Sequence, residues 1–140
     1  MLIFQRNLSM LFKWHWYIRI KTNNQLDVVM CNELDDMYNA ISCDTIQIVK
    51  ACKQSIFTQG VLLIIDDCGK LMNKDINIPA TVFYSPPFND NGIPLDFIVG
   101  DVLLGVLNDS RDDIIGFSSK EKAFDFGVGL FCLLGVDVIY

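Results

Sequence analysis

The side chains that could support chemistry are few: one histidine, five cysteines and a scatter of carboxylates. The cysteines are Cys31, Cys43, Cys52, Cys68 and Cys132, and no two stand in C-x-x-C spacing. A structural zinc draws four ligands from closely spaced Cys and His pairs, so this pattern argues against a metal site. Reduced, buried thiols in a cytoplasmic protein fit better than a disulfide framework. His15 lies on the polar side of an alternating stretch, with no Cys or Asp spaced to make it a nucleophile's base. Asp66 and Asp67 invite a Mg²⁺ or acid–base reading. Neighbours on an extended chain point opposite ways, however, and a turn explains the pair more simply. Gly127-Val128-Gly129 lacks both the strand before it and the basic or hydroxyl residue after it that a phosphate loop needs. General acid–base work needs acids or a histidine within mutual reach, and none are so spaced. The expectation is a non-catalytic protein with no cofactor and no metal.

Charge narrows the partners. The formal net charge is −6. Residues 1–70 hold seven basic and seven acidic side chains; residues 71–140 hold four basic and ten acidic ones. A nucleic-acid binder needs clustered Lys and Arg to displace counterions, so direct nucleic-acid binding is not expected. An acidic second half keeps a chain soluble and also suits a basic partner. At 140 residues, with 51% hydrophobic and 20% charged residues, the chain can bury one ordered core.

The elements that must position any site follow from periodicity. Residues 1–13 are apolar but interrupted by Gln5, Arg6 and Asn7. They read as an N-terminal extension: a packing helix, a leader, or an upstream addition before a start at Met10. From Trp14 to Lys21 apolar and polar residues alternate, predicting a half-buried strand with His15, Tyr17 and Arg19 on the wet face. Leu26–Cys31 predicts a second strand. Asn32 is a good N-cap for a helix whose stripe is Leu34, Met37, Tyr38 and Ile41. Ile46 and Ile48 share a face of the next strand, and Val61–Ile65 is apolar throughout, as a central strand covered on both sides would be.

Residues 73–96 carry all four prolines and read as irregular, interrupted by a short strand at Ala80–Tyr84. Phe97–Leu107 is the strongest strand signal, with Gly100 and Gly105 as places to bend. Its single charge, Asp101, needs either a partner in a nearby turn or a perturbed pKa. Asn108–Asp113 reads as a turn and Ile114–Phe117 as a returning strand. Ser118 and Glu121 have capping-box spacing, predicting a final helix with Ala123, Phe124, Val128 and Phe131 on its buried stripe. Residues 127–140 are an apolar tail or the end of that helix, and Phe126–Val136 is too short to span a bilayer.

The order predicts a single α+β domain over residues 14–126: a mainly antiparallel, curved sheet with two helices packed on one face. The long loop after Tyr84 is the favoured interaction surface, because loops on a rigid frame commonly carry function. Tyr84 and Phe88 are its candidate apolar anchors, and Asp90, Asp96 and Asp101 its candidate charged residues.

Leu34-Asp35-Asp36-Met37-Tyr38-Asn39-Ala40-Ile41, followed by Ile46-Gln47-Ile48-Val49, resembles the opening helix and strand of the family catalogued as domain of unknown function 3846. Asp67-Cys68-Gly69-Lys70-Leu71 resembles that family's acidic-Gly-Lys-Leu turn, and Asp96-Phe97-Ile98-Val99-Gly100 its later strand. The resemblance covers roughly residues 17–125. Cys43-Asp44 departs from it, and the loop around 85–95 has no counterpart. It implies a small accessory protein of phages, plasmids or other mobile elements, and transfers no catalytic residue. The functional expectation is therefore a binding role with a host protein as candidate partner; a small-ligand or nucleotide-binding module is the alternative. Nothing in the sequence sets an oligomeric state.

Overall fold

The computed structural model describes residues 15–53, 58–107, 114–134 and 137–139, with side chains to residue 130 and at Ile139. The readings of residues 1–13, of Trp14, of the turn at 108–113 and of the Phe131 and Cys132 side chains lie outside them.

Among the described residues the chain forms one seven-stranded, mainly antiparallel sheet and three helices, an α+β fold. In chain order these are β1 (Trp16–Ile20), β2 (Gln25–Met30), α1 (Leu34–Ile41), β3 (Ile46–Lys50), β4 (Val61–Asp66), α2 (Ile78–Tyr84), β5 (Val102–Leu107), β6 (Ile114–Ile115), α3 (Lys120–Leu134) and β7 (Asp137–Val138). The strand order is β3-β4-β5-β1-β2-β7, with β6 paired to β5. All pairings are antiparallel except the short parallel one between β2 and β7.

Both faces of the sheet are covered, α2 and α3 on one and α1 on the other. Side chains alternate across a strand. Ile18, Ile20, Leu63, Val102 and Leu104 pack on one side with Ala80 and Phe83 of α2 and Ala123 and Leu130 of α3. Tyr17, Ile64 and Leu103 point to the other side, where Met37 and Ile41 of α1 cover them. The face of β1 read as wet is therefore covered: Tyr17 is fully buried. Arg19 is half-buried, its guanidinium forked onto Asp27 of β2 at 2.9 and 2.6 Å. His15 is half-buried, and its Nδ1 is enclosed with no hydrogen-bond partner among the described residues.

α1 starts one residue later than predicted. Glu33 is its N-cap, and the Asp36 carboxylate accepts from the backbone N–H groups of Asn32 and Glu33 at 2.8 and 3.3 Å. Its last turn holds no basic residue. Cations arrive from elsewhere instead. Arg19 Nη1 donates to the Ala40 carbonyl at 3.2 Å, and Lys74 Nζ donates to the carbonyls of Ile41 and Ser42 at 3.1 and 2.6 Å. These groups satisfy carbonyls that a helix end leaves open and oppose its negative dipole end.

The segment read as a strand at Ala80–Tyr84 is a helix. Asn77 caps α2, accepting from the Ala80 N–H at 3.0 Å, and Pro79 in the first turn has no amide to leave unpaired. The Asn77 amide also donates to the Ile20 and Gly100 carbonyls, each at 2.9 Å. The predicted long strand is divided: Gly100 takes φ +75, and β5 begins only at Val102. A Cβ at Gly100 would also meet the Lys74 stem at 2.9 Å. α3 is capped by Ser119, whose Oγ accepts from the Lys122 N–H at 3.1 Å, rather than by Ser118. Its buried stripe is Ala123, Gly127 and Leu130, while Val128 is exposed. Gly127 allows the close approach to β2: a Cβ there would lie 2.9 Å from Leu26 Cδ2.

Asn77→Ala removes a cap acceptor and the side-chain donor to two buried carbonyls. It should lower unfolding free energy by about 2–4 kcal/mol, read from urea denaturation. Asn77→Asp keeps the cap oxygen but not the donors and should not recover that loss.

Candidate functional site

The 85–97 loop leaves α2 through Ser85, which takes φ +56, and folds back on itself. Asn89 organises its tip: its Oδ1 accepts from the N–H groups of Asn91 and Ile93 at 2.9 and 3.0 Å, and its own N–H donates to the Ile93 carbonyl at 2.8 Å. Gly92, at φ +76, completes the turn. At the base the Leu95 N–H donates to the Pro87 carbonyl at 2.8 Å, and Phe88 bridges to Pro94. Three prolines and this ladder fix the loop, which lowers the entropy lost if anything docks on it.

Between that loop and α2 runs an apolar groove of about 350 Å³. Ile76, Ile78, Val82, Phe88, Pro94 and Phe97 supply most of its wall, with Thr81 and Ser85 as its hydroxyl groups. An ordinary surface helix turns polar residues to water. α2 does the opposite. Pro79, Ala80, Thr81 and Phe83 are buried, while Ile78 and Val82, one turn apart, are 64% and 54% exposed; Phe88 is 61% exposed. Clustered exposed apolar side chains mark a site of interaction more often than scattered ones do.

The structure separates the sequence candidates. Phe88 lines the groove and Asp90 sits exposed at the loop tip. Tyr84 and Asp96 belong to a different, smaller cleft of about 180 Å³ against β3 and β4, which Phe97 borders as well. The neighbouring Cys52 thiol, burial and nearby Asp96 push the Tyr84 phenol up to about 12. Asp96 is ion-paired with Lys70, which holds its carboxyl below the usual range. Asp101 lies apart, accepting from the Thr22 N–H at 3.0 Å in the β1–β2 turn. Ile76, Ile78, Val82, Pro94 and Phe97 were not singled out by the sequence reading. The available signal was Asn77 followed by Pro79, a cap and an early-turn proline that predict a helix rather than a strand.

A third hollow, of about 480 Å³, lies between the end of α1 and the turn after β4. Several of its polar groups are engaged with one another. Asp66 Oδ2 is 2.7 Å from Lys74 Nζ, Asp66 Oδ1 accepts from the Cys68 N–H at 2.9 Å, and the Thr45 hydroxyl lies 3.7 Å from the Cys68 thiol. Burial, with Asp66 adding, pushes the Cys43 thiol up to about 11. Burial likewise pushes Cys31 up to about 12. Neither is an activated thiolate. Among the described residues no group of three or more His, Cys, Asp and Glu side chains is placed to hold a metal ion. No described helix is long and apolar enough to cross a membrane.

Comparison with protein-family models, curated proteins and solved structures finds no match. The functional reading therefore rests on the geometry.

Two outcomes follow. Alkylation at pH 8 with peptide mapping should label exposed Cys52 first and leave Cys31 and Cys43 largely unmodified until the chain unfolds. For the exposed Lys70–Asp96 pair, Asp96 binds its proton less readily in the folded state. Its stabilisation is present above the unfolded carboxylate range and is lost as pH falls through the lowered folded value. Lys70→Ala should cost below about 1 kcal/mol at pH 7, and the difference from the parent protein should vanish in acid denaturation series.

Proposed function

We propose that the protein acts by binding a protein partner, which inserts apolar side chains into the groove between α2 and the 85–97 loop. The observation that carries this reading is the inverted helix: Ile78 and Val82 face water although α2 is anchored through its other side. Leaving such side chains in water forgoes about 1.5–3 kcal/mol each relative to full burial. A partner that covers them recovers part of it. The rigid loop adds Phe88 as a preformed wall.

The sequence resemblance alone supports an accessory role in a phage or other mobile element, acting in the cytoplasm on a host protein. The ion pairs of Lys74 with Asp66 and of Lys70 with Asp96 engage charged groups in two of the hollows, which favours a binding role over an enzymatic one.

A small apolar ligand is the second reading. The groove volume of about 350 Å³ supports it, standing at the low end of the roughly 300–1,000 Å³ typical of ligand pockets. A nucleotide fits poorly. The cleft holding Tyr84 and Asp96 also presents Asp66 and Asp67, and its one lysine, Lys70, is already paired. Phosphates would meet carboxylates there.

The test is affinity capture with the parent protein and with the charge-neutral pair Val82→Gln/Phe88→Ser. A captured protein, once purified, should rebind saturably to the parent and at least about tenfold more weakly to the variant, the loss of roughly 1.4 kcal/mol of anchor burial. Equal affinity for both, at unchanged thermal stability, would remove the groove from the function. A nucleotide panel should shift Tm by less than about 1 °C, since only ligands that bind the folded state raise it.

A further inference from the structure

β3 ends the strand order, and among the described residues β4 is its only sheet neighbour. In an antiparallel pair, successive residues turn their N–H and C=O groups alternately toward the neighbour and away from it. Two hydrogen bonds fix which residues do which. The Asp67 N–H donates to the Thr45 carbonyl at 3.2 Å, so Thr45, Gln47 and Val49 face β4. The Leu107 N–H donates to the Gly60 carbonyl at 2.9 Å, so Leu62 and Ile64 face β5, and Leu63 and Ile65 face Val49 and Gln47. The N–H and C=O groups of Ile46, Ile48 and Lys50 therefore point out of the sheet. Among the described residues nothing hydrogen-bonds to them. Native edges are commonly blocked by proline, a central charge or a covering segment. β3 has no proline, and its single charge, Lys50, stands at its last position.

Charge along this edge runs from negative to positive. Within residues 44–53 the charged residues are Asp44 before the strand, Lys50 at its end and Lys53 beyond, all exposed. Exposed Asp67, bonded to Thr45, adds to the acidic end. Lys70 and Lys74 also lie beyond β4 there, but they are taken by Asp96 and Asp66.

We infer that β3 is a pairing edge for a second copy of this chain, joined antiparallel about a two-fold axis at Ile48. In that register Ile46 meets Lys50 of the other copy, Ile48 meets its own equivalent, and every outward N–H and C=O group finds a partner. A slip of two residues either way leaves some of them unmet. Ile48 against Ile48 is a β-branched cross-strand pair of the kind that stabilises sheets. The same register sets each copy's Lys50 diagonally from the other's Asp44, with Lys53 beyond it. A parallel pairing would set like charges together. The two-fold axis makes each contact occur twice. The edge is short, and the formal charge of −6 opposes association, so the dimer is weak and concentration-dependent. None of Ile46, Ile48 and Lys50 lines the groove beside α2, so this inference stands apart from the groove reading.

The test is sedimentation equilibrium of the full chain, with amide hydrogen exchange followed residue by residue as concentration rises. A reversible dimer is expected. Its formation should slow exchange at Ile46, Ile48 and Lys50, and leave Gln47 and Val49, already bonded within the sheet, little changed. Lys50→Glu should raise the dimer Kd roughly five- to tenfold at low salt. Asp44→Lys/Lys50→Glu should restore it, with matching circular dichroism melts establishing that both variants fold. A chain that stays monomeric up to about 1 mM would overturn the inference. So would a dimer that the charge swap fails to restore, or one that Val82→Gln/Phe88→Ser abolishes. Slow exchange at Ile46, Ile48 and Lys50 at every concentration would show the edge covered by its own chain and also overturn it.

Discussion

Asn77 has no exposed surface, and every polar group it owns is used. Its side-chain amide donates to the last residue of β1 and to the bend before β5, and its side-chain oxygen caps α2. Its N–H donates to the Ile98 carbonyl at 2.8 Å, and its own carbonyl accepts from the N–H and hydroxyl of Thr81 at 2.9 and 2.7 Å. Inside a low-dielectric core a fully satisfied cluster of this kind is rigid, and a partly satisfied one is costly. Three pieces of chain distant in sequence are therefore fixed to one another at a point. α2 has only seven residues, too few to be stable alone. Its place and its rotation come from this cluster and from Phe83 below it.

The rotation of α2 is what creates the groove. With Ala80 and Phe83 held in the core, Ile78 and Val82 can only face outward. The loop that follows, tied by Asn89 and stiffened by proline, then has a fixed wall to stand against. The proposed docking role uses that surface. The perturbed groups here are mostly thiols and a phenol pushed upward, away from reactivity.

The other face of the sheet obeys a similar constraint. α1 ends without a basic residue of its own. Arg19 reaches it from the middle of β1, and Lys74 from beyond β4, each also held by an aspartate. These two cations lock α1 over Tyr17, Ile64 and Leu103. Their carbonyl contacts explain why Lys74 packs across Gly100, where any larger residue would collide with its stem.

Local pattern was enough to place most strands. Alternation marked β1, the unbroken Val61–Ile65 run marked β4 as covered on both sides, and the Leu34–Ile41 stripe marked α1, because side-chain period follows directly from backbone geometry. A loop after Tyr84 was legible too, through proline and turn residues. The helix at α2 was obscured, since a seven-residue apolar run reads equally as strand until its cap is noticed. Which face each helix covers was not legible at all. Period two says only that β1 has two sides, and Tyr17 and Arg19 look polar until α1 and Asp27 cover them. Likewise no spacing reveals that Asp101 parts company with Asp96, or that Lys74 serves a helix more than thirty residues earlier. Those outcomes depend on contacts between distant segments, and only the packed chain decides them.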